Sequence, residues 1–136
     1  MINNQLNNAT LPVLFERFTQ WHHDRNLIDG TTSQVQFKKL LEEVIELYMA
    51  LHPGVTPSVA AVSINTMVFD LHSDGRIKTC DGSGLPDAIG DINVVLDNIA
   101  EREGYTMASC LSSAYDDIKD RKGQMIDGTF VKESDL

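Results

Sequence analysis

Positive charge is scarce in this chain of 136 residues, which has 11 lysines and arginines against 20 aspartates and glutamates and a formal net charge of −9. Proteins that bind duplex DNA through its phosphates need a basic surface, so no nucleic acid polymer is expected as a partner. A small phosphorylated substrate remains compatible with this charge, because a divalent cation neutralises protein carboxylates and substrate phosphates together.

Long apolar runs and cysteine motifs are also missing. No apolar stretch approaches the length that crosses a bilayer, so no membrane association is expected. The Asn-rich segment Met1–Thr10 lacks the layout of a secretion signal, and we expect a cytoplasmic protein. The two cysteines, Cys80 and Cys110, do not have the spacing of a metal site. We expect reduced thiols, and a disulfide between them is the alternative.

Helical periodicity is what the sequence does contain. Apolar residues recur at spacings of three and four along most of its length. The pattern predicts four helices, over 11–25, 33–51, 85–103 and 106–121. The length favours a single domain over residues 1–136, with 122–136 as an extended C-terminal tail. The predicted fold is therefore all-α, a bundle of four or five helices.

Residues 57–73 are compatible with two local structures. Val62, Met67 and Val68 fit a helix that ends near Gly75, whereas the alternation of Met67, Phe69 and Leu71 fits a strand in a hairpin. We favour the helix. Residues 76–84 contain two glycines and are expected to form a loop.

Acidic residues lie beside the apolar face of two predicted helices. At about 100° per residue, Lys39, Glu43 and Glu46 fall on the flank of the apolar arc of 33–51, while Glu42 points away from it. On the helix 85–103, another narrow face carries three polar residues: Asp87, Asp91 and Asn98.

Two helices of one bundle could bring Glu43, Glu46, Asp87 and Asp91 together. Crowded carboxylates repel one another unless a cation is present, and hard oxygen ligands select Mg²⁺, Mn²⁺ or Ca²⁺ rather than Zn²⁺. The alternative is that these residues only form the solvated faces of amphipathic helices. A ferritin-like di-iron site is disfavoured, because no histidine lies three residues after a glutamate.

Three stretches resemble the MazG-like all-α nucleoside triphosphate pyrophosphatases. They are QFKKLLEEVIEL (36–47), DAIGDINVVLDNIA (87–100) and DDIKDRKGQMIDGTFVKE (116–133). The resemblance covers the chain from about Trp21 to its end. It implies a Mg²⁺-dependent enzyme, with Mn²⁺ as a substitute, that hydrolyses a (deoxy)nucleoside triphosphate to the monophosphate and pyrophosphate. It also implies a homodimer or homotetramer.

The family carries Glu-x-x-Glu on one helix and an acidic-x-x-Asp element on a later one, and these residues hold the metal. Glu43 and Glu46 match the first pair, and Asp91 matches the Asp. The remaining acidic position would fall at Ala88, which cannot bind a metal. Asp87 lies one residue earlier and would substitute for it, or the site would use three carboxylates. Either Glu43 or Glu46 would be the catalytic base.

Substrate contacts are expected from five further residues. By the resemblance, Lys39 would lie near the phosphates and Asn98 near substrate or metal-bound groups. Arg121 and Lys122 would meet phosphate from the end of the last core helix. Trp21 could stack on the nucleobase, although packing in the core is the alternative for this side chain. The resemblance to phage-type members favours a purine deoxynucleotide.

Two other functions remain open. One is a non-enzymatic helical interaction or accessory module whose acidic face binds a basic partner. The other is a related enzyme on the same scaffold, such as a diphosphatase or a phosphoribosyl-ATP pyrophosphohydrolase-like activity. Release of pyrophosphate or of orthophosphate distinguishes cleavage between the α and β phosphates from the alternatives.

Overall fold

The structure is a computed structural model that describes residues 10–136. These residues are mostly helical, with a small two-stranded sheet and a final 3-10 turn at Glu133–Asp135. The helices are α1 (Leu11–Asp24), α2 (Ser33–Leu51), α3 (Pro57–Ser73), α4 (Leu85–Arg102) and α5 (Met107–Ile118). The strands are β1 (Gly123–Ile126) and β2 (Thr129–Lys132). The predicted helices are confirmed, and 57–73 forms the helix rather than the hairpin.

Local side-chain chemistry fixes where two of these helices begin. The hydroxyl of Thr56 accepts a hydrogen bond of 3.3 Å from the N–H of Val59, and Pro57 occupies the first turn of α3. Thr106 and Ser109 form a reciprocal capping box at the start of α5. Helix α5 ends at Ile118, three residues before the predicted end at 121.

The C-terminal tail is a β-hairpin, which the sequence analysis did not predict. Strands β1 and β2 pair antiparallel, with Ile126 opposite Thr129. The two residues between them, Asp127 and Gly128, have φ angles of 51° and 79°. Positive φ at both central positions is the pattern of a type I′ turn, for which Asp-Gly is a favoured sequence. The missed signal was therefore this dipeptide between two short apolar segments.

The chain divides into two compact units. The first consists of the residues up to Thr32 together with Gly84–Leu136, and the second is Ser33–Ser83. In the first unit α5 packs against α1 and α4, and Leu14 is almost completely buried. In the second unit α2 packs against α3, where Ala60 is fully buried. The single domain expected from the length stays a prediction.

Among residues 10–136, no helix combines the length and the apolar character that crossing a bilayer requires.

Candidate functional site

The first acidic pair lies on a single turn of α2. Glu43 and Glu46 are three residues apart, and both are exposed. The ammonium Nζ of Lys39 lies 3.0 Å from Oε1 of Glu43 and 3.0 Å from Oε1 of Glu42. Glu42, which was expected to lie outside the site, therefore shares the charge of Lys39 with Glu43.

These contacts set the protonation of Lys39. Partial burial lowers the pKa of its ammonium, but the hydrogen bonds and negative charges of Glu42 and Glu43 outweigh burial and raise the pKa above its usual value. Lys39 therefore stays positively charged at neutral pH. Surface pairs at these helical spacings contribute only about 0.3–0.5 kcal/mol each, so the arrangement holds Lys39 loosely enough for it to turn towards an anion.

Glu46 differs from Glu43 in having an unpaired carboxylate. Within the described part of the chain it makes no hydrogen bond or ion pair, although it lies less than one helical turn from Glu43. An exposed, unpaired carboxylate can accept a proton or bind a cation without first breaking another contact. Glu46 is thus the more available of the two predicted catalytic residues.

The second set of predicted residues lies along α4. Asp87 is in the first turn, where the partial positive charge of the helix N-terminus favours a carboxylate. Asp91 follows one turn later and Asn98 two further turns along, and all three side chains are exposed. Helical geometry therefore places Asp87 and Asp91 as neighbours on one face, as predicted. Ala88 has no ligand atom, so it is the i, i+4 pair that could bind a cation here.

Each acidic pair belongs to a different compact unit. Glu43 and Glu46 lie in Ser33–Ser83, and Asp87 and Asp91 lie in the other unit. Over residues 10–136 the structure shows no group of three or more His, Cys, Asp or Glu side chains that could hold a metal ion. The convergence of all four carboxylates on one Mg²⁺ or Mn²⁺ ion stays a prediction.

The predicted phosphate-binding residues follow the end of α5. A guanidinium nitrogen of Arg121, Nη2, lies 2.6 Å from Oδ2 of Asp117. Lys122 has an exposed side chain, and its carbonyl accepts a hydrogen bond of 2.8 Å from the N–H of Glu133. Of the two cations, Lys122 is the more accessible to a phosphate, whereas Arg121 would have to exchange Asp117 for it.

Trp21 is held by a cluster of contacts at the end of α5, which we call the Trp21 cluster (Trp21, Arg25 and Phe130). Its indole N–H donates to the carbonyl of Ile118 at 2.9 Å. The guanidinium carbon of Arg25 lies 4.4 Å from the centre of the Trp21 ring, and the Phe130 ring meets Trp21 edge-on at 5.7 Å. The structure shows a packing role for Trp21, and its stacking on a nucleobase stays a prediction.

Arg25 and Phe130 were missed by the sequence analysis. The Nη2 atom of Arg25 donates to the carbonyls of Lys119 and Arg121, at 3.1 and 2.9 Å. Lys119 is the residue that follows the last turn of α5, and an arginine at a helix C-terminus satisfies acceptors that have no partner within the helix. Arg25 and Trp21 thereby fix the backbone that carries Arg121. The available signal was the i, i+4 spacing of an aromatic residue and an arginine at the end of α1.

His22 lies beside this cluster. Its ring centre is 5.5 Å from that of Trp21. Burial, and secondarily the charge of neighbouring His23, lower the pKa of the His22 imidazole below its usual value. The structure places the His22 side chain partly buried.

Comparisons of the chain with protein-family models, with curated proteins and with solved structures found no match.

Proposed function

We propose that this protein is a MazG-like pyrophosphohydrolase that cleaves a (deoxy)nucleoside triphosphate to the monophosphate and pyrophosphate. The observation that carries the proposal is the Glu43–Glu46 pair on one exposed turn of α2, with the cation Lys39 one turn before Glu43. This pair lies within the stretch that resembles the MazG-like enzymes. The proposal also includes a cytoplasmic location and a homodimer or homotetramer.

The donor set fits a hard divalent cation, because every proposed ligand is a carboxylate oxygen. Glu43, Glu46, Asp87 and Asp91 would hold Mg²⁺ or Mn²⁺, which when bound supplies positive charge to the triphosphate. Each acidic pair offers two neighbouring carboxylates on one helix. Each pair alone provides only two carboxylates, and the proposal uses both pairs.

We assign the role of base to Glu46 in preference to Glu43. The carboxylate of Glu43 is shared with Lys39, whereas that of Glu46 is unpaired. In the proposed reaction Glu46 accepts a proton from a water molecule as the water oxygen bonds to the α-phosphorus. The bond from that phosphorus to the bridging oxygen breaks, and pyrophosphate leaves with the bonding electron pair.

The remaining predicted residues would bind substrate. Lys39 and Lys122 carry positive charge that can reach phosphate oxygens, and Arg121 can do so after releasing Asp117. Asn98 would donate a hydrogen bond from α4. For Trp21, one ring face is covered by Arg25, so a purine would have to stack on the other face.

The test is a screen of Mg²⁺-dependent hydrolysis over all nucleoside and deoxynucleoside triphosphates, with separate detection of pyrophosphate and orthophosphate. We expect pyrophosphate from at least one substrate, and a fall in kcat of roughly 100-fold or more for Glu46→Gln, the range usual for loss of a general base. Glu16→Gln is the control, because Glu16 is an exposed glutamate on α1 that is not among the predicted site residues.

One result would overturn the role assigned to Glu46, and another would overturn the hydrolase function itself. Full activity of Glu46→Gln would remove Glu46 from the mechanism while leaving the reaction in place. No pyrophosphate from any substrate would reject the hydrolase and favour the interaction module, whose acidic surface is offered by Glu42, Glu43 and Glu46 on α2.

A further inference from the structure

Aspartate is followed directly by glycine at four places in this chain. The dipeptides lie at 29–30, 74–75, 81–82 and 127–128. Because glycine has no side chain, its peptide nitrogen can approach the carboxyl carbon of the preceding aspartate more closely than that of any other residue. Closing a ring between these two atoms also needs a free N–H group and a backbone that can rotate. The four dipeptides therefore differ in reactivity according to the hydrogen bonds around them.

Three of the four dipeptides are held in place. The N–H groups of Gly30 and Gly75 each donate a backbone hydrogen bond, at 3.1 and 3.0 Å. An amide that donates such a bond has to break it before its nitrogen can attack a neighbouring carbon. Asp127-Gly128 forms the tight turn between β1 and β2, where the paired strands fix the backbone on both sides. Folding therefore restrains all three.

The fourth dipeptide, Asp81-Gly82, lies in the loop between α3 and α4, where no comparable contact holds the backbone. Within the described chain, no backbone N–H from 77 to 82 donates a hydrogen bond, and all residues of this interval are exposed. The space around Gly82 is open, with no atom within 4 Å of the position that a Cβ would take. A segment with few backbone hydrogen bonds and an exposed surface changes conformation readily.

The Asp81 side chain is folded towards the peptide that follows it. Its Oδ1 atom accepts a hydrogen bond of 2.9 Å from the N–H of Ser83, two residues along the chain. Such a turn keeps the carboxyl carbon close to the intervening Gly82 nitrogen. The same bond lowers the pKa of the Asp81 carboxyl below its usual value. The carboxyl is therefore ionised at neutral pH, and ring closure proceeds slowly through the small protonated fraction.

We propose that Asp81 is a site of spontaneous isomerisation to isoaspartate. The Gly82 nitrogen bonds to Cγ of Asp81, the Cγ–OH bond breaks, and the hydroxyl leaves with the amide proton as water. The product is a five-membered succinimide ring. Water then adds to one of its two carbonyls and breaks the bond from that carbonyl to nitrogen. Opening at Cγ restores aspartate, and opening at the main-chain carbonyl gives isoaspartate. No oxidant, reductant or cofactor takes part.

The reaction lengthens the connection between α3 and α4. In isoaspartate the main chain runs through Cβ and Cγ, so it gains one carbon atom, and the carboxylate is attached directly to Cα. Asp81 lies near the end of the unit Ser33–Ser83, and the other compact unit resumes at Gly84. The added atom therefore falls in the segment that joins the two units, while the net charge is unchanged. This inference is independent of the proposed hydrolase function.

The experiment incubates the purified full chain at physiological temperature and neutral pH for several weeks. Peptide mapping by mass spectrometry, with fragmentation that distinguishes the two linkages, locates isoaspartate, and enzymatic methylation of isoaspartyl carboxylates counts it. We expect isoaspartate at 81 to form at least about tenfold faster than at 29, 74 or 127, which corresponds to about 1.4 kcal/mol in the barrier. A succinimide, lighter by one water molecule, should appear first at the same position.

The same chain dissolved in urea is the control for the role of the fold. The hydrogen bonds and strand pairing that restrain the other three dipeptides are then absent, so all four should react at similar rates. If the four rates were already similar in the folded chain, or if residue 127 reacted fastest there, the proposal would be overturned. Isoaspartate that forms at 81 in urea but not in the folded chain would also overturn it, because the loop would then be held in solution.

Two variants with the same substitution test the position. Asp81→Glu keeps the charge but would have to close a less favourable six-membered ring, so it should remove most of the isoaspartate. Asp127→Glu is the matched control at another exposed Asp-Gly dipeptide, and it should leave the amount unchanged. Gly82→Ala should slow the reaction at 81 by about tenfold, since its methyl group obstructs the nitrogen. Equal amounts of isoaspartate in Asp81→Glu and Asp127→Glu would contradict the assignment of Asp81.

Discussion

The Trp21 cluster and the α2–α3 hairpin satisfy their surfaces in different ways. Around Trp21, the indole N–H and the Arg25 guanidinium donate to carbonyls at and after the end of α5, and the Phe130 ring packs edge-on against the indole, so both polar and apolar groups find partners within the chain. In the α2–α3 hairpin, Ala60 is fully buried, whereas valine and phenylalanine side chains remain exposed. Long side chains therefore close the first region locally, whereas the second region leaves apolar side chains exposed.

Replacement of Trp21 should have the largest effect on stability. Trp21→Ala removes the ring that Arg25 and Phe130 contact and the donor to Ile118, so we expect the free energy of unfolding to fall by about 3 kcal/mol. Trp21→Phe is the control that keeps a ring but not the N–H, and it should cost about 1–1.5 kcal/mol. Urea denaturation measures both. A loss below about 0.5 kcal/mol for Trp21→Ala would mean that the cluster does not stabilise the fold.

The helices could be predicted from the sequence because their causes are local. Apolar spacing, proline in the first turn and threonine caps act within a few residues, and the predicted bounds of α2 agree with the structure. The helical state of 57–73 was also predictable, although both periods were present. Helix formation there depends on Thr56 and Pro57, which begin the helix.

Contacts between distant residues were not predictable in the same way. The carbonyls of Ile118 and Lys119, at the end of α5, accept hydrogen bonds from Trp21 and Arg25, which lie more than 90 residues away in sequence. The tail was predicted to be extended, and its β-hairpin was missed although Asp127-Gly128 is a local turn signal, because a turn dipeptide does not by itself show that the flanking segments pair. For the candidate site, the sequence predicted that Glu43 and Glu46 share a turn but not that Lys39 bridges Glu42 and Glu43.

Replacement of Ala60 in the α2–α3 hairpin should have a smaller effect on stability. Ala60 is fully buried where α2 and α3 meet, so Ala60→Leu must push the helices apart and should lower the free energy of unfolding by about 2 kcal/mol. Its neighbour Ala61 is exposed, and Ala61→Leu should change stability by less than about 0.5 kcal/mol. Thermal or urea unfolding compares the two. Equal effects would show that α2 and α3 do not pack closely in solution.

Replacement of His22, beside Trp21, should have the smallest effect, which is on the pH dependence of the free energy of unfolding. Because burial and His23 lower the pKa of His22 in the folded chain, the unfolded chain binds more protons at mildly acidic pH, and stability falls as the pH drops below about 6.5. His22→Gln removes this titration and should flatten the loss of stability between about pH 7.5 and 5, by less than about 1 kcal/mol. Urea denaturation of both proteins across this interval measures the difference. The same slope in both would mean that the imidazole of His22 is as free to bind a proton in the folded chain as in the unfolded one. The contacts of Trp21 would then not extend to its neighbour, and the closed region would be smaller than the Trp21–His22 ring contact indicates.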